Sequence, residues 1–204
     1  MWQAETFDPE TIDRELGWAA DLGFNCMRVF LHHVAWEQDK EGFKDRMNKY
    51  LEISDSHGIS TMFVFLDDCW RESCAPGKQP EPNPGEHNSG WAKDPGILYF
   101  GPCGSGCEYA EDTTAIVTLL EEYVKDVMTT FKDDKRIFAW DLYNEPGGGQ
   151  DPHRYYMRTF PLLKGIFGWA REVNPSQPLS AGIWHSSLGE MNVWQIENSD
   201  IITY

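Results

Sequence analysis

The sequence lacks any concentration of basic residues. Its 204 residues contain 17 Lys and Arg against 33 Asp and Glu, which gives a formal net charge of -16. Nucleic acids and anionic membrane surfaces both bind proteins through clustered positive charge. The sequence therefore predicts a protein whose partners are neither nucleic acid nor membrane.

Several other features are missing as well. No run of about 18 apolar residues occurs, so no membrane-spanning helix is predicted, and residues 1–5 have neither the charged start nor the apolar core of a secretion signal. No Gly-x-Gly-x-x-Gly or Gly-Lys-Ser/Thr loop follows a predicted strand, which disfavours a nucleotide-binding sheet. No His-x-His pair ends a strand either, which disfavours a metal-dependent hydrolase. No metal or cofactor is predicted.

The five cysteines are an odd number. Cys26 falls within a predicted strand, where it is expected to be a small buried apolar side chain. Cys69, Cys74, Cys103 and Cys107 fall in one loop region, where they could form two disulfides, remain free thiols or bind a metal. Their Cys-x4-Cys and Cys-x3-Cys spacings differ from the x2 pairs of most structural zinc sites.

The apolar periodicity predicts helices alternating with strands. Helices are predicted at 9–22, 42–57, 113–131, 161–173 and, weakly, 187–197, with a short helical turn at 152–160; strands are predicted at 24–31, 59–66, from 137, at 178–184 and from 199. Such alternation is typical of a parallel α/β sheet with right-handed crossovers, either a barrel or a doubly wound sheet. No linker divides the chain, so residues 1–204 are predicted to be one domain.

One long connection interrupts this alternation, at about 68–112. It is rich in Gly, Pro, Cys and Asn and carries isolated aromatic residues. A loop of this length inside a compact domain is usually a lid or a binding loop. Trp70, at its start, is a candidate platform on which a ring-shaped ligand could stack.

A carboxylate follows the strand that begins at residue 137. Apolar and aromatic residues lead into Asn144-Glu145-Pro146, and the C-terminal ends of parallel strands form the functional rim of a barrel. A carboxyl group that delivers a proton near neutral pH must stay partly protonated, which an apolar surround favours. Glu145 is therefore a candidate general acid.

Trp140-Asp141 followed by Asn144-Glu145-Pro146 resembles the signature of retaining glycoside hydrolases built on a (β/α)8 barrel, the clan that includes the cellulase-like family 5. Residues 22–30, which contain Arg28, resemble the second strand of the same clan. The resemblance implies that Glu145 is the acid/base at the end of strand four, that Asn144 binds the sugar 2-hydroxyl and that Arg28 fixes the catalytic carboxylates. Because Arg28 stands among apolar residues, a carboxylate partner is also expected for it.

The resemblance implies a partial TIM (β/α)8 barrel, roughly strands two to six with their helices, in one incomplete catalytic domain. Complete barrels usually need about 250 residues. The clan's nucleophile stands at the end of strand seven, and no residue here matches it, so the nucleophile is expected outside the chain and the 204 residues alone are expected to be inactive. A carbohydrate-binding barrel without catalysis is the alternative.

The expected partner is a carbohydrate substrate, a β-linked polysaccharide or oligosaccharide such as a glucan, mannan or xylan. Secretion or export to the periplasm is expected from the resemblance alone, and the oligomeric state is left open. Five further residues are candidates for substrate binding: His33, Asp68, Trp70, His185 and Tyr204. Some of them could instead be exposed loop residues or helix caps.

Overall fold

The structure is a computed structural model that describes residues 1–71, 75–79, 81, 83–96, 99, 112–147, 152–184 and 189–204, with the main chain alone at 152–157. Within the long connection predicted at 68–112, residues 72–74, 80, 82, 97–98 and 100–111 therefore lie outside the described residues. The same is true of Cys74, Cys103, Cys107 and His185.

The described residues form one sheet of four parallel strands. They are β1 (Cys26–Phe30), β2 (Ser60–Asp67), β3 (Ile137–Asn144) and β4 (Leu179–Ser180), in the spatial order β1-β2-β3-β4. Neighbours in the sheet are also neighbours in sequence, and helices connect them. This is the arrangement of consecutive βα units in a barrel.

Six helices are described. They are α1 (Pro9–Asp21), α2 (His33–Gln38), α3 (Lys40–Ser56), α4 (Thr114–Phe131), α5 (Pro152–Val173) and α6 (Gly189–Asn198). The side chain of Asp8 caps α1 by accepting hydrogen bonds from the N–H groups of Glu10 and Thr11. None of the helices that the structure describes is long and apolar enough to cross a membrane.

Two helices differ from the sequence prediction. Helix α2 lies between the predicted strand at 24–31 and the predicted helix at 42–57, where no element is predicted, and α5 continues through Pro161, where a helix start is predicted. A proline inside a helix removes one main-chain hydrogen bond. The residues on both sides of Pro161 are buried, and we attribute the continuity of α5 to that burial; they are Phe160, Leu162, Leu163 and Ile166.

The strands after α5 are also shorter than predicted. The strand predicted at 178–184 is reduced to Leu179–Ser180, and no strand is assigned at 199–204. The last segment nevertheless runs beside β4, since the N–H of Ile183 donates to the carbonyl of Thr203 at 3.0 Å and the Ser180 and Thr203 hydroxyls lie 2.7 Å apart. Residues 199–204 therefore lie where a strand is predicted, but they do not form the regular hydrogen-bond ladder of a strand.

A bulge in β3 determines which side chains face each side of the sheet. Thr61 pairs with Ile137, but Met62 pairs with Ala139, so Phe138 is an extra residue and is 40% exposed. After the bulge, Trp140 packs on two aromatic residues of β2 that face the helix layer, Phe63 and Phe65. The next residue, Asp141, faces the opposite side of the sheet and contacts Arg28 of β1.

Candidate active site

Two residues at neighbouring strand ends have left-handed backbone conformations. Glu145, directly after β3, has φ +46, and Trp70, three residues after β2, has φ +74. Each costs on the order of 1 kcal/mol for a residue with a Cβ atom. Such residues persist only where the surroundings fix them, and they concentrate at functional sites. Their position at the carboxyl ends of adjacent parallel strands identifies the candidate site.

The side chain of Glu145 is partly exposed and has a described partner within the protein. The thiol of Cys69 donates a hydrogen bond to its Oε2 at 2.9 Å. Gly182, just after β4, lies close to the same point: a Cβ atom placed on it would be 3.7 Å from the Glu145 nitrogen and 3.6 Å from Arg28 Nη2. Glu145 and the guanidinium of Arg28 thus border the same small space.

Arg28 is held by a buried carboxylate. Its Nε donates to Asp141 Oδ2 at 3.0 Å, and its Nη2 donates to the same oxygen and to Asn144 Oδ1, the latter at 2.7 Å. The Asp141 side chain has no exposed surface. Burial raises the pKa of Asp141, while the charge of Arg28 and its hydrogen bonds oppose that rise. Asp141 is the carboxylate partner that the sequence predicted for Arg28.

The amide of Asn144 is fixed on both sides. Its oxygen accepts from Arg28, and its Nδ2 donates to Asp67 Oδ1 at 2.8 Å. Asp67 also accepts hydrogen bonds from the indole N–H of Trp91 and the main-chain N–H of Cys69. Burial raises the pKa of Asp67, and these three donors oppose the rise. The network orients Asn144 rigidly beside Glu145.

A cleft of about 420 Å³ opens next to this network. Its lining includes Arg28, Asp67 and Trp91, together with the N-terminal residues of the chain. The Arg28 guanidinium lies 4.9 Å from the ring centre of Phe30, and that ring meets Trp91 edge to face at 4.5 Å. The cleft therefore has aromatic walls and a polar edge, which is a surface suited to a neutral, hydroxyl-rich ligand.

Asp68, a predicted substrate-binding residue, is not among the residues that line this cleft. The carboxylate is fully buried, and its two oxygens accept hydrogen bonds from the hydroxyl of Tyr143, the N–H of Gly147 and the hydroxyl of Thr159, at 2.6, 2.7 and 2.7 Å. Asp68 ties the segment after Glu145 to helix α5.

The burial of Asp68 predicts an effect of pH on stability. Burial raises the pKa of Asp68 to about 6, against about 3.9 in an unfolded chain. Between these values the folded state keeps a proton that the unfolded state has released, so the free energy of unfolding should fall as pH rises, by about 3 kcal/mol in total. Above the folded-state pKa the loss is complete.

Substituting Asp68→Asn should remove this dependence. The Asn oxygen can accept from Gly147 and Thr159 while its nitrogen donates to the Tyr143 hydroxyl, so the fold should be retained. Urea unfolding of both proteins at about pH 4 and about pH 7 measures the difference. An equal pH dependence in the two proteins would show that Asp68 is not its source.

His33, another predicted substrate-binding residue, is buried. Its side chain is 1% exposed, and its Nδ1 bonds to Asp94, which also accepts the His33 N–H at 2.8 Å. Burial tends to lower the pKa of His33, but the charge of Asp94 and its hydrogen bond raise it overall. His33 starts helix α2 and is part of the core, so it does not line the cleft.

The exposed aromatic candidates lie at the surface. Trp70 is 52% exposed, with its ring edge to face against His87 at 5.4 Å. Tyr204 is fully exposed. His185, which is predicted to bind substrate, lies outside the described ranges.

Sequence analysis missed Cys69 and Gly182 as neighbours of Glu145, since no local pattern marks either.

No family model matches the sequence, and no curated protein matches it. Solved structures do match its fold. A family 39 glycoside hydrolase from Bacteroides cellulosilyticus WH2 is 16% identical, with a TM-score of 0.55, over 96% of this chain and 34% of that one. The chain has the fold of part of a TIM (β/α)8 barrel.

Two mannanases match this chain with similar sequence identities and TM-scores. The endo-1,4-β-mannanase from Rhizomucor miehei is 17% identical with a TM-score of 0.59, over 90% of this chain and 54% of that one. The endo-β-1,4-mannanase from Thermotoga petrophila is 14% identical with a TM-score of 0.59, over 86% and 40%. The chain thus spans about a third to a half of these neighbours. The predicted partial barrel is confirmed, and the neighbours are glycoside hydrolases.

Proposed function

We propose that this chain is part of a glycoside hydrolase that cleaves O-glycosidic bonds in a β-linked polysaccharide or oligosaccharide. The observation that carries the proposal is the placement of Glu145. Its partly exposed carboxyl group follows β3 at the rim of a barrel sheet, beside an Asn144 amide fixed by Arg28 and Asp67. A proton donor next to a rigid polar group is what glycoside cleavage requires.

In this proposal Glu145 acts twice. It first protonates the oxygen of the departing sugar, and after that sugar has left, it takes a proton from the water that completes hydrolysis. Asn144 binds the hydroxyl beside the reacting carbon, and its fixed amide keeps that hydroxyl in one position. Arg28 positions Asn144 and keeps the buried charge of Asp141 neutralised.

A retaining mechanism also needs a nucleophilic carboxylate about 5 Å from the acid. The candidates at this rim, within the described residues, are already engaged: Asp67 by three donors, Asp68 by three and Asp141 by Arg28. We therefore propose that none of these three is the nucleophile and that it is supplied from outside the described part of the chain.

The substrate proposed first is a β-1,4-linked mannan. Solved neighbours that are named as β-mannanases support testing this glycan before others. The exposed ring of Trp70 offers a flat apolar surface on which a sugar ring can stack. The overall acidity of the chain suits an uncharged polymer.

The test uses the protein in its longest natural form, with mannan, cellulose and xylan as substrates. NMR of the first product records the configuration of the new reducing end, and a retaining enzyme should release it in the β form. Release of the α form would refute the two-carboxylate retaining mechanism. Binding of a glycan without hydrolysis would instead support the carbohydrate-binding alternative.

A further inference from the structure

Cys69 connects two strand ends at the site. It lies two residues after β2, its side chain is 9% exposed, and its main-chain N–H donates to Asp67 Oδ1 at 3.1 Å. Its thiol donates to Oε2 of Glu145, at 2.9 Å. Asp67 fixes the backbone of Cys69, and Cys69 in turn fixes one oxygen of Glu145.

The surroundings of Cys69 keep it a thiol. Burial raises the pKa of Cys69, and the charges of Asp67 and Glu145 raise it further. A reactive cysteine needs the opposite environment, one that is electropositive and lowers its pKa. Cys69 is therefore suited to donate a hydrogen bond and unsuited to act as a nucleophile.

We propose that Cys69 is a positioning residue that holds Oε2 of Glu145 and leaves Oε1 as the oxygen that carries the exchanging proton. The proposal rests on the proposed function of Glu145 and goes beyond it by assigning the two carboxyl oxygens different tasks. A donor aimed at one oxygen restricts rotation of the carboxyl group, so the proton is presented in one direction.

A spectroscopic test needs no enzymatic activity. The S–H stretching band of Cys69 is isolated in Raman spectra as the difference between the unmodified protein and Cys69→Ser. The S–H stretching frequency of a hydrogen-bonded thiol is lower than that of a free thiol, so Glu145→Ala should raise the frequency of this band. Cys26→Ser, which changes the other described free thiol, serves as the control and should leave it in place. A band that does not respond to Glu145→Ala would overturn the proposal.

A kinetic test separates positioning from mere packing. In the longest natural form of the protein, Cys69→Ala removes the donor and frees the carboxyl group of Glu145 to rotate, so kcat on an unactivated β-glycan should fall about tenfold with KM unchanged. Cys69→Ser keeps a donor and should restore kcat. An unchanged kcat in Cys69→Ala would refute the positioning role, whereas a protein that shows the Raman shift but hydrolyses no glycan would refute the proposed function alone.

Discussion

In the longest natural form of the protein, replacing Glu145 by Gln should lower the hydrolysis rate of an unactivated β-glycan by about 10²- to 10⁴-fold. Glutamine has the same size as glutamate and keeps an acceptor oxygen for the thiol of Cys69. Its left-handed backbone conformation costs no more than that of glutamate, so the fold should be unchanged. What it cannot do is deliver a proton. An aryl glycoside with an acidic phenol needs little protonation of its leaving oxygen, so its cleavage step should be slowed much less.

Comparison of the two substrates is the decisive measurement. Glu197→Gln makes the same chemical change at an exposed position on α6 and should leave both rates as they are. A loss of equal size on the polysaccharide and the aryl glycoside in Glu145→Gln would contradict the role of proton donor. It would indicate instead that the substitution disturbs binding.

Replacing Arg28 by Met should lower the free energy of unfolding by about 4 kcal/mol, because it leaves a fully buried charge without a partner. Asp141 has no exposed surface, and Arg28 is its only described cationic partner. Asn144 would lose the donor to its oxygen as well. Urea unfolding at neutral pH, with the same chain length for each variant, measures the loss.

The double variant Arg28→Met, Asp141→Asn supplies the first control. Removing both charges should recover much of the loss, so the two substitutions should be strongly non-additive. Arg14→Met is the second control, since Arg14 lies 3.7 Å from Glu15 in an exposed pair that contributes about 0.5 kcal/mol or less. If Arg28→Met cost no more than Arg14→Met, the buried pair would not be the source of stability.

The elements nearest the site were predictable because their signals are local. A run of β-branched and aromatic residues before Asn144-Glu145-Pro146 predicts a buried strand with a carboxylate at its end, and the structure has β3 there. Arg28 could be predicted to have a partner because a charge among apolar residues needs one. Neither inference required knowledge of any distant residue.

The roles of adjacent residues were not predictable. Asp67 ends the apolar strand β2 and Asp68 follows it, yet the first binds Asn144 at the site and the second is buried against Tyr143 and helix α5. Side-chain direction after a strand depends on the backbone of the loop, which the composition does not determine. Cys69 and Glu145 are 76 positions apart in the sequence, so no local sequence pattern includes both residues.

The single extra residue in β3 controls the chemistry of the sheet's two faces. Side chains alternate along a strand, so a ladder that paired evenly from Ile137 would send the indole of Trp140 to the inside of the barrel and the carboxylate of Asp141 among the helices. Deleting Phe138 would keep Trp140 opposite Phe63 and Asp141 opposite Val64, so the bulge is what lets the strand carry this extra residue without exchanging the two layers. The bulge at Phe138 therefore decides whether Arg28 can reach Asp141.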